Sequence, residues 1–125
     1  MSITLSSVVL DAAGIEAESA FWHRLLGGSI HRTSTHHFIQ APGLPVVVVQ
    51  YAPEHLAPSW PDGTSQQMHL DFGVGSLATA DRAATDAGAT RLRPTEEITS
   101  ETRAGSCVYA SPAGHPFCLR AARVH

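Results

Sequence analysis

Lysine is absent from this chain: all eight basic residues are arginine, against eleven Asp and Glu, for a formal charge of −3. The arginines form no basic cluster, so a nucleic-acid partner is not expected. Long apolar runs are also missing. Val46–Val49 is far shorter than the roughly 20 residues a bilayer-crossing helix needs, so no membrane association is expected. The start of the chain has neither a basic segment nor an apolar stretch, and no signal peptide is expected. Cysteine is scarce, with only Cys107 and Cys118, which fits a reduced, cytoplasmic protein rather than a disulfide scaffold. No glycine-rich phosphate loop and no serine-centred nucleophile motif occurs. What remains is a sequence of 125 residues, 43% hydrophobic and 15% charged, which is enough for one core and too apolar for disorder.

Ile3–Asp11 is β-branched and partly alternating and predicts a strand, broken at Gly14. Ile15, Phe21, Trp22, Leu25 and Leu26 recur at helical spacing, and Gly27-Gly28 supplies a stop. Strands are predicted at Ser29–Ser34, His36–Ala41 and Val46–Tyr51. The last has four successive valines without alternation, the pattern of a strand buried on both faces. The segment 52–66 carries Pro53, Pro58 and Pro61 and reads as a loop, with Trp60 folded back onto an apolar surface. A fifth strand is predicted at Met68–Val74. Ser76 is a plausible N-cap for a helix whose stripe is Leu77, Ala80, Ala84 and Ala87, closed by Gly88. Ala89–Ile98 reads as a strand interrupted at Pro94, and Ser106–Ala110 and Phe117–Ala121 read as a hairpin about Ser111–Gly114.

The order strand, helix, three strands therefore occurs twice. Ser7 falls on His69, Gly14 on Ser76 and Ile15 on Leu77, all with one offset of 62 positions, which is the sign of an internal duplication. Module one is expected at about 3–51, a linker at 52–66 and module two at about 67–122.

Three segments carry a resemblance to a known family. They are Val8-Val9-Leu10-Asp11 leading to Ala20-Phe21-Trp22 and Leu25-Leu26-Gly27; Trp60-Pro61-Asp62 followed by Gln66-Gln67-Met68-His69-Leu70-Asp71-Phe72; and Ser111 to Leu119, Ser-Pro-Ala-Gly-His-Pro-Phe-Cys-Leu. In these the chain resembles the vicinal oxygen chelate superfamily (the glyoxalase/bleomycin-resistance/dioxygenase fold), most closely its small actinobacterial-type glyoxalase-like proteins. The resemblance implies an α+β fold of two βαβββ modules forming a curved, half-open mixed β-barrel around a cavity. In metal-dependent members it implies one divalent ion held by four inward side chains, from the first and last strands of each module. Carried over, those positions fall on Ser7, on Gln50 or a neighbour, on His69 and on Cys118. Only His69 keeps the expected type, since Ser and Gln are poor ligands for Zn²⁺ or Fe²⁺. No metal or other cofactor is therefore expected; a metal would have to use His69 with Gln50, Cys118 or Glu54.

Individual residues add to this. Strand alternation puts Asp71 on the face of His69, and the two make the candidate acid–base pair if there is catalysis. If the hairpin turns at Pro112-Ala113, Cys107 and Cys118 lie directly opposite; they could then join in a disulfide, share a metal with His69, or be small buried hydrophobes. His36 and His37 point to opposite faces, and Phe38 faces as His36 does, so an aromatic wall suited to a planar ligand is expected there. Arg120 shares the face of Cys118 and, ahead of Arg103, is the candidate partner of an anionic ligand. The expected function is binding of an aromatic or natural-product-like small molecule, with Ser7, His36, Phe38, Gln50, Trp60, His69, Asp71, Cys118 and Arg120 lining the site. The alternative is a metal-dependent lyase, isomerase or dioxygenase of the superfamily. The oligomeric state is left open by the sequence; the sheet edges of two such modules allow a homodimer.

Overall fold

The structure is a computed structural model, and it describes residues 2–59, 63, 67–102 and 105–121. Ten elements follow in order: β1 (Ser7–Ala12), α1 (Ile15–Leu26), β2 (Ser29–Arg32), β3 (His36–Gln40), β4 (Val46–Tyr51), β5 (Leu70–Val74), α2 (Leu77–Ala87), β6 (Thr90–Arg93), β7 (Ser106–Ala110) and β8 (Pro116–Ala121). They form two compact units, residues 1–56 and 57–125. Each is a βαβββ module with one open four-stranded mixed sheet, ordered β1-β4-β3-β2 in the first and β5-β8-β7-β6 in the second. In both, the first strand pairs parallel with the last and the other pairings are antiparallel.

The duplication is visible residue by residue. The N-caps Gly14 and Ser76 are 62 positions apart, as are the strand ends Ala12 and Val74. The offset then changes. β2 and β6 start 61 apart because α1 is one residue longer than α2. β3 and β7, and likewise β4 and β8, start 70 apart, because three residues join β2 to β3 whereas twelve join β6 to β7. The position in module one that corresponds to Cys118 is therefore Val48, and Gln50 corresponds to Arg120. A single offset carried over from the helices could not place the last strand.

In module one, α1 packs on β3 and β4. Phe21 and Trp22 are fully buried, with rings 4.9 Å apart edge to face. Two polar residues of the helix are also fully buried, and each is partnered. Trp22 Nε1 donates to Glu18 Oε2 at 2.9 Å, and Ser19 Oγ lies 2.7 Å from His37 Nδ1 on β3. Burial without such partners would cost each group about 1–3 kcal/mol or more. Val47, Val48 and Val49 are all buried in β4, an interior strand, as its unalternating pattern implied. Gly28 follows α1 at φ +80, and a Cβ there would collide with the Gln40 carbonyl, so the approach of the helix end to β3 requires glycine.

In module two, Ser76 Oγ accepts from the Thr79 amide and caps α2, which packs on β7 and β8. Tyr109 and Phe117 stack at 5.2 Å on that side of the sheet, and Phe72 meets Phe117 edge to face at 6.2 Å. The Tyr109 hydroxyl and Arg91 Nη1 both donate to Asp81 Oδ1 of α2, each at 2.7 Å. Arg91 also donates to the Pro94 and Glu96 carbonyls, so one side chain ties the start of the long β6–β7 connection to the helix.

Three expectations need correction. β1 and β5 are shorter than their apolar patterns: β1 begins at Ser7, and β5 begins at Leu70, so His69 lies just before the strand rather than in it. β6 ends at Arg93 instead of resuming beyond Pro94, consistent with a proline that cannot donate to the ladder. Cys107 and Cys118 are not opposite each other. Cys107 pairs with Leu119 and Cys118 with Val108, so the two thiols point to opposite faces of the sheet and both are free. The cause is the turn. The Ser111 amide donates to the His115 carbonyl and Ser111 Oγ accepts from the His115 amide, which leaves a three-residue loop, 112–114, with Gly114 at φ +89. An odd loop shifts the register by one residue, and one residue reverses every side chain.

Candidate functional site

Each sheet has one face under its helix and one that its helix leaves uncovered. In module one, His37 bonds to Ser19 of α1 and therefore marks the helix side. Register puts Ser7, Val9 and Asp11 of β1, Val48 and Gln50 of β4, His36 and Phe38 of β3 and His31 of β2 on the other face. His36 and Phe38 stack with centroids 6.1 Å apart and planes 21° apart. His31, the direct cross-strand partner of Phe38, lies 6.1 Å from it at 36°. Three rings thus run in a row across β2 and β3. Beside them His36, Gln50 and Asp11 are neighbours across three strands, and His36 Nδ1 is 2.8 Å from Thr35 Oγ1.

In module two, Tyr109 reaches α2, so Cys107, Tyr109, Phe117 and Leu119 face the helix, and Asp71, Cys118, Val108 and Arg120 face away from it. Asp71 and Cys118 are direct partners across β5 and β8. The Asp71 carboxylate joins the group: its Oδ1 is 3.3 Å from His69 Nε2, and its Oδ2 is 3.6 Å from Arg120 Nη2. One potential ligand atom from each of His69, Asp71 and Cys118 lies within 4.8 Å of the other two. His69 and Asp71 are partly open to solvent, with side chains 35% and 46% exposed, whereas Cys118 is buried. Burial pushes the Cys118 thiol up, and the charge of Asp71 and a hydrogen bond to it act in the same direction. Cys107 is likewise pushed up by burial, on the helix side.

The residues singled out in the sequence thus fall into two groups: Ser7, His36, Phe38 and Gln50 on the uncovered face of module one, and His69, Asp71, Cys118 and Arg120 on that of module two. Trp60 and Arg103 lie outside the described residues. Glu54 is exposed in the turn after β4 and is not part of the His69 grouping. Sequence reasoning missed His31, whose place beside Phe38 depends on a cross-strand pairing. It also missed Asp81, whose role as acceptor for Arg91 and Tyr109 joins residues far apart in the chain. The Glu18–Trp22 pair did leave a signal, since it has the i, i+4 spacing at which helical side chains meet.

A family profile described as the glyoxalase-like domain matches residues 7–120. The chain belongs to this family. The glyoxalase-like domain places it in the vicinal oxygen chelate superfamily, and solved structures agree on the fold. The fosfomycin resistance protein FosX from Listeria monocytogenes (tetragonal form) matches with a TM-score of 0.71 at 16% identity, over 100% of this chain and 95% of that one. A glyoxalase/dioxygenase from Nostoc punctiforme matches with a TM-score of 0.70 at 16% identity, over 97% and 92%. A glyoxalase-related enzyme from Fulvimarina pelagi matches with a TM-score of 0.67 at 19% identity, over 95% and 88%. At these identities the likeness is one of fold. No curated protein matches the chain.

The superfamily's metal, when present, draws ligands from both modules of such a domain, and the residues here do not fit that set. Module one offers Ser7 where module two has His69, and Val9 and Val48 where it has Asp71 and Cys118. Two valines and a serine supply neither imidazole, thiolate nor carboxylate.

Proposed function

We propose that this glyoxalase-like domain binds a planar aromatic or natural-product-like small molecule without the two-module metal centre of its superfamily. The observation that carries the reading is the row of three rings, His31, Phe38 and His36, on a sheet face that α1 does not cover. A flat ring laid on such a row buries apolar area on both sides of the contact, and offset stacking adds about 0.5–1.5 kcal/mol per pair. Gln50, next to His36 across the sheet, supplies donors and an acceptor that orient the ligand's polar groups, with Ser7 on the same face. The uncovered face of module two carries polar groups of its own from the expected set, His69, Asp71 and Arg120, the last of which offers a cation to an anionic group.

The test is a thermal-shift and fluorescence screen of aromatic compounds, including phenolic and polyketide-like ones. A hit should lose at least about tenfold in affinity on Phe38→Ala, the worth of roughly 1.4 kcal/mol of stacking and burial. Binding that survives both Phe38→Ala and His36→Ala overturns the reading.

One observation favours the second reading, a metal-dependent lyase, isomerase or dioxygenase: the grouping of His69, Asp71 and Cys118. Turnover of a substrate that stops on chelation, returns on adding a divalent ion and is lost on His69→Ala would establish it. On the remaining expectations, no helix among the described residues is long and apolar enough to cross a membrane. Two free cysteines support a reduced, cytoplasmic setting. Exposed Ile3, Leu5, Leu56 and Met68 support self-association, to be read by light scattering as a homodimer.

A further inference from the structure

We infer that module two alone carries a three-ligand metal site, His69 Nε2, Asp71 carboxylate and Cys118 Sγ, selective for a borderline-soft divalent ion of the Zn²⁺ and Co²⁺ class. The site departs from the superfamily pattern in using one module, one sheet face and a thiolate.

Geometry is the first support. A tetrahedral ion with metal–nitrogen and metal–oxygen bonds near 2.0–2.2 Å sets its nitrogen and oxygen ligands about 3.4 Å apart. His69 Nε2 and Asp71 Oδ1 are 3.3 Å apart already. A metal–sulfur bond near 2.3 Å asks for about 3.6 Å from sulfur to either neighbour. All three atoms lie within 4.8 Å of one another, so closing the set needs at most about 1 Å of side-chain movement, within reach of small rotations of the two partly exposed side chains. Backbone placement is the second support. Asp71 and Cys118 are direct partners across the parallel β5–β8 ladder, so two ligands are fixed on adjacent strands whatever the rotamers.

Charge and hardness decide the ion. A carboxylate and a thiolate together balance a dication, and the proton of the Cys118 thiol leaves to solvent as the ion binds. Imidazole and thiolate favour Zn²⁺ or Co²⁺ over Mg²⁺, Ca²⁺ and Mn²⁺, which prefer all-oxygen shells. Arg120 Nη2, 3.6 Å from the other Asp71 oxygen, holds the carboxylate from outside. Three protein ligands leave a fourth position open to water or another small ligand.

Co²⁺ titration of the full chain, with any affinity tag removed, tests this. The expected result is uptake of about one ion with a thiolate-to-cobalt charge-transfer band in the near ultraviolet. Cys118→Ser should abolish the band, and His69→Gln and Asp71→Asn should each weaken binding at least about tenfold. Ser7→Ala and Gln50→Ala should change the affinity less than about twofold, and excess Mg²⁺ should not compete. Absence of uptake, uptake without the thiolate band, or a loss on Ser7→Ala or Gln50→Ala as large as on His69→Gln overturns the inference. Circular dichroism of each variant controls for folding; if buried Cys118→Ser fails to fold, the two partly exposed variants decide. Ligand binding at Phe38 is read without metal, so the failure of either reading leaves the other standing.

Discussion

At the residue scale, burial separates groups that look alike in the sequence. Cys107 is fully buried under α2 and its thiol is pushed up by that burial. The thiolate is the reactive form, so at pH 7 a Cys118→Ser chain, in which Cys107 is the one thiol, should react with a disulfide reagent only on unfolding. Rapid native reaction, followed by absorbance, would refute this. The adjacent His36 and His37 have opposite fates, and alternation alone announced that. Which of them is buried required knowing that α1 covers the His37 side. Ser19→Ala should destabilise the chain by about 1–3 kcal/mol, because it leaves His37 Nδ1 without its partner in a buried place. Denaturant unfolding measures it; a change below about 0.5 kcal/mol would mean that water replaces the hydroxyl.

At the element scale, the two helices are unequal copies. Ser76 caps α2 with its side chain, whereas Gly14 offers α1 no side-chain cap and a Cβ there meets nothing within 4 Å. Ser76→Ala should cost about 1 kcal/mol and Gly14→Ser should add a few tenths. Opposite signs in thermal melts would overturn the comparison. Tyr109 gives a pH prediction. Burial, then the hydrogen bond to Asp81, raises its phenol far above the usual value. The unfolded tyrosine loses its proton near pH 10 while the folded one keeps it. The folded state therefore binds the extra proton, and this contribution to stability is whole below about pH 10 and declines above it, by about 1.4 kcal/mol per pH unit. Tyr109→Phe should be less stable at neutral pH and should flatten that alkaline decline. Urea midpoints between pH 8 and 11 would show it.

At the scale of the whole chain, the duplicated βαβββ order was legible because strand and helix periods, N-caps and glycine stops recur in the same order, at nearly one spacing as far as the helix ends. The register of each last strand was not legible. It depends on the twelve-residue connection between β6 and β7 and on the odd loop at 112–114, whose effects are set by hydrogen bonds of Arg91 and Ser111 rather than by apolar pattern. His69 and Asp71 could be placed together from alternation, but the union of Asp71 with Cys118 needed the β5–β8 pairing. Gly114 tests the turn. With φ +89, and with a Cβ that would strike Ala57, Gly114→Ala should cost well over about 1 kcal/mol, and a near-neutral effect on thermal unfolding would contradict the turn geometry.

The parallel pairing of first strand with last also sets a schedule. Ser7 waits for Val46 and Leu70 for Phe117, so neither sheet can seat its opening strand until its closing strand has been made. During synthesis at roughly 5–20 residues per second, module one can close its sheet several seconds before β8 exists. From its own synthesis until β8 follows, β5, with Asp71 among its residues, lacks its parallel partner, so a chaperone or a stray sheet edge meets module two first.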